Sequence, residues 1–194
     1  IKTASFFWVG TEAPIRGISP SIFKYYDGDI SFETRVDSVI SWFQLKEHQR
    51  PHLILLYFSE PDHTGHEDGV DKDKMIESVT KMDNLLGYLR QQLKTLDIYS
   101  KINIIITSDH GMPFPRAKAS LYDAGSRVPL AIRWPQGIKH PGREVDAFIN
   151  LSDLAAMGLD VADIFDHDTD TKYNVTSTNI NELLQPVYTV LDGT

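Results

Sequence analysis

Two short apolar runs constrain this chain more than any other feature, because each breaks off into a cluster of acids and histidines. Leu53 to Phe58 follows Pro51 in PHLILLYFSEPD and leads to Asp62, while Ile102 to Thr107 (INIIIT) leads to Ser108, Asp109, His110 and Gly111. A continuous apolar run of this length, bounded by polar residues, predicts a strand buried on both faces. Between the runs, Met75, Val79, Met82, Leu86, Leu89 and Leu93 recur at the spacing of one helix face, so residues 71–96 predict a long amphipathic helix. Phe32, Val36, Val39, Ile40 and Phe43 form a second stripe over residues 31–43, with Ser31 as its N-cap. Val128 to Trp134 predicts a further strand, and Ser152 or Asp153 opens a helix to about Ile164 before a polar tail from Asp166. Strand and helix alternate, which predicts an α/β fold with a largely parallel sheet flanked by helices. Ligands of such sheets bind beyond the carboxyl ends of the strands, where both clusters fall.

The 194 residues fit one domain, and 41% apolar with 24% charged residues is the composition of an ordinary folded protein. Lys and Arg total 19 against 27 Asp and Glu, a net charge of −8 that argues against binding a nucleic-acid polymer or an anionic membrane. An anionic substrate would therefore need local cations. The absence of cysteine excludes a disulfide framework, a zinc ribbon and a cysteine nucleophile within these residues. No apolar run approaches the roughly 18 residues of a membrane helix. Ile1 opens directly into fold-like sequence with neither signal peptide nor targeting segment, so the reading is of an incomplete domain with sequence removed ahead of it.

The first cluster is Glu60-Pro61-Asp62-His63-Thr64-Gly65-His66. Asp62 and His66 are four apart, and Gly65 is expected to make a tight turn, so that a carboxylate and an imidazole converge on one divalent ion. Asp109 and His110 offer a second such pair. Alone, an Asp-His-Gly after a strand is ordinarily a turn with an exposed histidine. Two pairs, each ending an apolar strand, instead suit two zinc ions about 4 Å apart that clamp both oxygens of a phosphoryl displacement. Zinc also reconciles an acidic chain with an anionic substrate. His63, between two ligand candidates, is expected to support a ligand or lie on the surface.

Phe6 to Ile15 (FFWVGTEAPI), PDHTGH at Pro61 to His66 and SDHGM at Ser108 to Met112 closely resemble the nucleotide pyrophosphatase/phosphodiesterase family of the alkaline phosphatase superfamily, over residues 1–112. The resemblance implies an alkaline phosphatase-like fold, with Asp62 and His66 on one zinc and Asp109 and His110 on the other. It also implies attack by a threonine on a small-molecule phosphodiester or nucleotide, a phospho-threonine intermediate, and an extracellular or periplasmic setting. That family draws one Asp ligand and the threonine from a segment that would precede Ile1, and a further His from near the domain's end. Neither His140 nor His167 matches that last position. The chain thus reads as a single partial catalytic domain over 1–194, with four of six zinc ligands and no nucleophile, and as a poor catalyst alone.

After Met112 the pattern changes. PRAKASLYDAGSRVPLAIRWP and GREVDAFINLSDLA resemble sulfatases over about residues 113–165, within a second portion and tail at 113–194. That resemblance implies that Lys118 contacts a sulfate ester, while Asp109 and His110 bind a single calcium. Tyr122, Asp123 and Gly125 complete the sulfatase pattern, although the C/S-x-P-x-R motif of that chemistry is absent. PDHTGH favours the phosphodiesterase, because it builds a second metal site for which a sulfatase has no use. A non-catalytic metal-binding module is the remaining alternative. Asp123 and Arg127 are placed to form an ion pair. Asp166, Asp168 and Asp170 read as a solvated acidic loop. Asn150 and Asn174 are formal glycosylation acceptors.

Overall fold

The computed structural model describes residues 1–8, 10–154 and 158. They form two compact units, one of Ile1–Tyr99 with Met112–Pro115, the other of Ser100–Gly111 with Arg116 onward.

The first unit is built on a parallel three-stranded sheet of β1 (Thr3–Phe6), β2 (Ile22–Lys24) and β3 (Leu53–Leu56), in the order β2-β1-β3. β1 and β2 have no counterpart among the strands expected from sequence, since neither shows a long apolar run. β1 nevertheless takes the centre, pairing Ala4 with both Ile22 and Ile54, and its Ala4, Ser5 and Phe6 are buried. The expectation that Leu53 begins a strand buried on both faces is corrected: β3 lies at the sheet's edge, and Leu53 is 49% exposed. An apolar run reports the composition of a strand, whereas its place in the sheet depends on partners distant in sequence.

Helix α1 (Phe32–Phe43) covers this sheet with Val36, Val39, Ile40 and Trp42. Ser31 caps it as expected, its Oγ accepting the Thr34 N–H at 3.2 Å. Trp42 and Val39 join Ala4, Phe6 and Phe7 in one apolar cluster, with Leu56 and Tyr57 packed against it. The same helix buries Arg35, which is only 1% exposed. Its Nε donates to the Ile30 carbonyl at 3.0 Å and its Nη1 to the Tyr57 carbonyl at 3.1 Å, while the guanidinium lies 4.6 and 4.7 Å from the Phe7 and Phe32 ring centres. Burial lowers its pKa below the ordinary value, against the opposing fields of Tyr26, Tyr57 and Asp27.

Helix α3 (Lys72–Thr95) matches the expected span to one residue at each end. Asp71 caps it through Oδ1, which accepts the N–H groups of Asp73 and Lys74 at 3.0 Å each. Its inner face carries Ser78, Leu85 and Leu93, whereas Val79, one of the expected stripe positions, is 55% exposed. The helix packs on α1 and on a short helix α2 (Asp62–Asp68).

In the second unit β4 (Ile104–Thr107) pairs antiparallel with β5 (Leu130–Arg133), Ile105 opposite Ile132. β4 is half-exposed at Ile105 and Ile106, so here too a strand buried on both faces is not found. Within the first unit β3 belongs to the parallel sheet, and within the second β4 belongs to an antiparallel pair. Ile132 is buried among Leu130, Trp134, Ile138, Ile149 and Leu154. Helical backbone begins at Leu151, where Asn150 Oδ1 accepts the Ser152 N–H at 3.0 Å. The continuation of that helix to Ile164, the tail with Asp166, His167, Asp168 and Asp170, and Asn174 lie outside the described residues.

Candidate metal and catalytic site

Asp62 and His66 are brought together by helix, not by the tight turn expected of Gly65. Residues 62–68 form α2, so positions i and i+4 share a face, and Asp62 Oδ2 stands 3.5 Å from His66 Nε2. Two ligands held at about 2.0–2.1 Å by one tetrahedral zinc are themselves about 3.3 Å apart, so this pair already has the separation a shared ion requires. Gly65 serves close packing. A Cβ there would lie 2.8 Å from Pro113 Cγ and 2.9 Å from Met112 Cε, so only glycine lets α2 seat against Met112–Pro113. His63 faces outward and pairs with Glu67 at 3.3 Å, both exposed.

α2 begins at Pro61 without a side-chain cap. The missing acceptor comes from Glu60, whose Oε2 receives the Thr64 N–H at 3.1 Å, the Thr64 hydroxyl at 2.7 Å and the Ser78 hydroxyl at 2.9 Å. Burial by itself pushes this carboxyl upward, but the bonds from Thr64 and Ser78, with the nearby His63, bring it net below the ordinary carboxylate value. Glu60 carries no signal of this role in its own local sequence. The available signal was Ser78, a polar residue on the core face of an amphipathic helix.

Asp109 and His110 follow β4 directly. His110 Nδ1 donates to the Gly111 carbonyl at 2.9 Å, which turns Nε2 to the side of Asp109, 3.5 Å from its Oδ1. A backbone carbonyl that fixes the tautomer is the usual support of a metal-binding imidazole. Gly111 is buried against Gly125, to whose carbonyl its N–H donates at 3.2 Å, and a Cβ on Gly111 would overlap the Ala124 carbonyl oxygen and lie 3.0 Å from Gly125 Cα. Gly111→Ala should therefore cost about 1–3 kcal/mol and displace the carbonyl that orients His110. Urea unfolding, with the His110 ring followed by NMR, checks this; wild-type stability and an unmoved ring resonance would contradict it.

Lys118 is half-buried in the turn that leads to helix α4 (Asp123–Ser126). Asp123 and Arg127 do pair, at 3.8 Å and largely exposed, a contact worth little. His140 is exposed in a bend. Among the described residues no group of three or more potential ligands is gathered. Each Asp/His pair supplies one carboxylate and one imidazole, donor types that zinc accepts, and no complete ligand set is present among the described residues.

The family model described as type I phosphodiesterase / nucleotide pyrophosphatase matches residues 1–182. The chain belongs to this family. The match runs through the stretch that resembles sulfatases, so the type I phosphodiesterase assignment extends across it. Mouse ectonucleotide pyrophosphatase/phosphodiesterase family member 1 is 40% identical over 122 residues, covering 63% of this chain and 14% of its own length. A venom phosphodiesterase of Crotalus durissus collilineatus is 41% identical over 112 residues, 58% of this chain and 14% of its own. Among solved structures, murine ectonucleotide pyrophosphatase/phosphodiesterase 5 aligns with a TM-score of 0.52 at 37% identity, over 57% of this chain and 29% of that one. The same murine protein has been solved as an inactive threonine-to-alanine variant in complex with AMP. This α/β chain of the alkaline phosphatase type therefore spans about 14% of the length of the curated relatives it matches.

Proposed function

We propose that the chain is part of a metal-dependent hydrolase of phosphodiester or pyrophosphate bonds acting on small nucleotide substrates. Asp62 and His66 hold one zinc ion and Asp109 and His110 hold another. The reading is carried by the two Asp/His pairs, each with carboxylate and imidazole at 3.5 Å, one with its tautomer set by a backbone carbonyl. The donor set favours zinc over calcium, since imidazole is a ligand of zinc whereas calcium takes six to eight oxygens. When bound, such ions polarise a phosphoryl oxygen and lower the pKa of coordinated water. The residues themselves hold and orient: the Gly111 carbonyl accepts from Nδ1 of His110 and fixes the ring, and α2 keeps Asp62 and His66 on one face. The threonine nucleophile and the remaining ligands are assigned to sequence outside these 194 residues, in keeping with the inactive threonine variant of the murine relative. The setting is extracellular or periplasmic, a reading the venom phosphodiesterase relatives support. Among the described residues no helix is long and apolar enough to cross a membrane. No geometric observation favours the sulfatase role of Lys118 or a single calcium.

Zinc at about a hundred times its dissociation constant should stabilise the chain by about 2.7 kcal/mol, a rise in melting temperature of about 5–10 °C. Asp62→Ala and Asp109→Ala should each reduce the rise. Stabilisation by calcium but not zinc would move the assignment to a sulfatase, and no shift with either would favour a module without metal.

A further inference from the structure

A seven-residue helix is too short to hold its shape alone, because nucleation fixes several residues for each hydrogen bond gained. α2 is such a helix, it carries both members of one metal-binding pair, and its first turn has no side-chain cap of its own. Something outside α2 must therefore set the positions of Asp62 and His66.

We propose that Glu60 is the positioning residue for this pair, a single carboxylate oxygen that ties the first turn of α2 to the inner face of α3. Oε2 accepts from the Thr64 backbone and hydroxyl and from Ser78, so one atom caps the helix and bridges it to its neighbour. Ser78 is 6% exposed on a face that otherwise buries Leu85 and Leu93, and an apolar residue there would pack at least as well. Its hydroxyl has a use in meeting Glu60. On another side, Gly65 seats against Met112 and Pro113 too closely for a Cβ. With the helix tied at its first turn and wedged at its middle, the 3.5 Å separation of Asp62 and His66 becomes a fixed property of the fold. Glu60 would act on the metal only through this geometry, an inference that rests on the zinc reading for its functional consequence but not for the tie itself.

The test uses the 194-residue chain and two readouts. In Glu60→Ala, Ser78→Ala and Thr64→Val, amide hydrogen exchange across residues 62–68 should accelerate at least about tenfold while the central part of α3 keeps its protection. Zinc affinity, measured by chelator competition, should fall about 10–100-fold, the usual cost of losing a group that supports a ligand. Thr64→Ser, which keeps the hydroxyl, should restore both readouts, and Glu67→Ala, on the exposed side of α2, should leave both unchanged. Wild-type exchange across 62–68 in Glu60→Ala and Ser78→Ala would overturn the tie. Should Glu60→Ala fail to fold, Ser78→Ala and Thr64→Val decide the question. If Asp62→Ala binds zinc as well as the wild type does, the metal reading fails, and the exchange data still decide the role of Glu60.

Discussion

In the full-length enzyme, Asp109→Ala and His66→Ala should each lower kcat/KM for a nucleotide phosphodiester by more than about a hundredfold, the upper end of what losing a group that merely supports a metal ligand costs. Each removes one of the two donors seen in its pair, and no third potential ligand is gathered beside either pair among the described residues. The losses should appear in kcat more than in KM, since a metal that stabilises charge in the transition state does little for ground-state binding. His63→Ala is the matched control. It lies on the same helix, points outward and pairs with an exposed Glu67, so it should retain nearly full activity. Near-normal turnover by either of the first two variants would remove the zinc assignment.

Arg35→Met should destabilise the first unit by about 4 kcal/mol, a large share of the roughly 5–15 kcal/mol that holds a domain folded. The side chain donates charge-assisted hydrogen bonds to the carbonyls of Ile30 and Tyr57, each worth about 1.5–3 kcal/mol. Methionine fills much of the space between Phe7 and Phe32 but supplies no donor to either carbonyl. Lysine should be little better, since one ammonium cannot reproduce a planar fork that reaches two acceptors while lying on two rings. Arg127→Met offers the contrast. Its ion pair with Asp123 has both side chains at least 77% exposed, and its loss should change stability by less than about 0.5 kcal/mol. Urea denaturation of the three variants checks the ranking, and equal midpoints for Arg35→Met and Arg127→Met would refute it. Because the Tyr57 carbonyl lies just beyond β3 and three residues before Glu60, loosening Arg35 should also disturb the approach to α2.

Much of the candidate site was legible because its residues are close in sequence. Asp62 with His66, and Asp109 with His110, are separated by one helical turn or less, and chemistry at that range is recorded in spacing. The same spacing misled about conformation. Gly65 suggests a turn in PDHTGH, whereas the glycine is there because Met112 and Pro113 leave no room for a Cβ, a fact some fifty residues away in the chain. Glu60 and Arg35 escaped for a related reason. Each is an ordinary charged residue in its local context, and each acquires its role only from partners on other elements: Ser78 for the one, the Tyr57 carbonyl for the other.

The sequence by itself determined the helices at 32–43 and 72–95 and their caps at Ser31 and Asp71, because periodicity and capping act within a few residues. It also determined the two apolar runs with their acid and histidine endings, and through its motifs the family. Only the tertiary structure decided that Thr3–Phe6 is the central strand, that Leu53–Leu56 lies at an edge, and that Ile104–Thr107 pairs antiparallel with Leu130–Arg133. Strand partners and burial are set by which distant segments meet, and a local pattern of apolar residues is compatible with many such meetings.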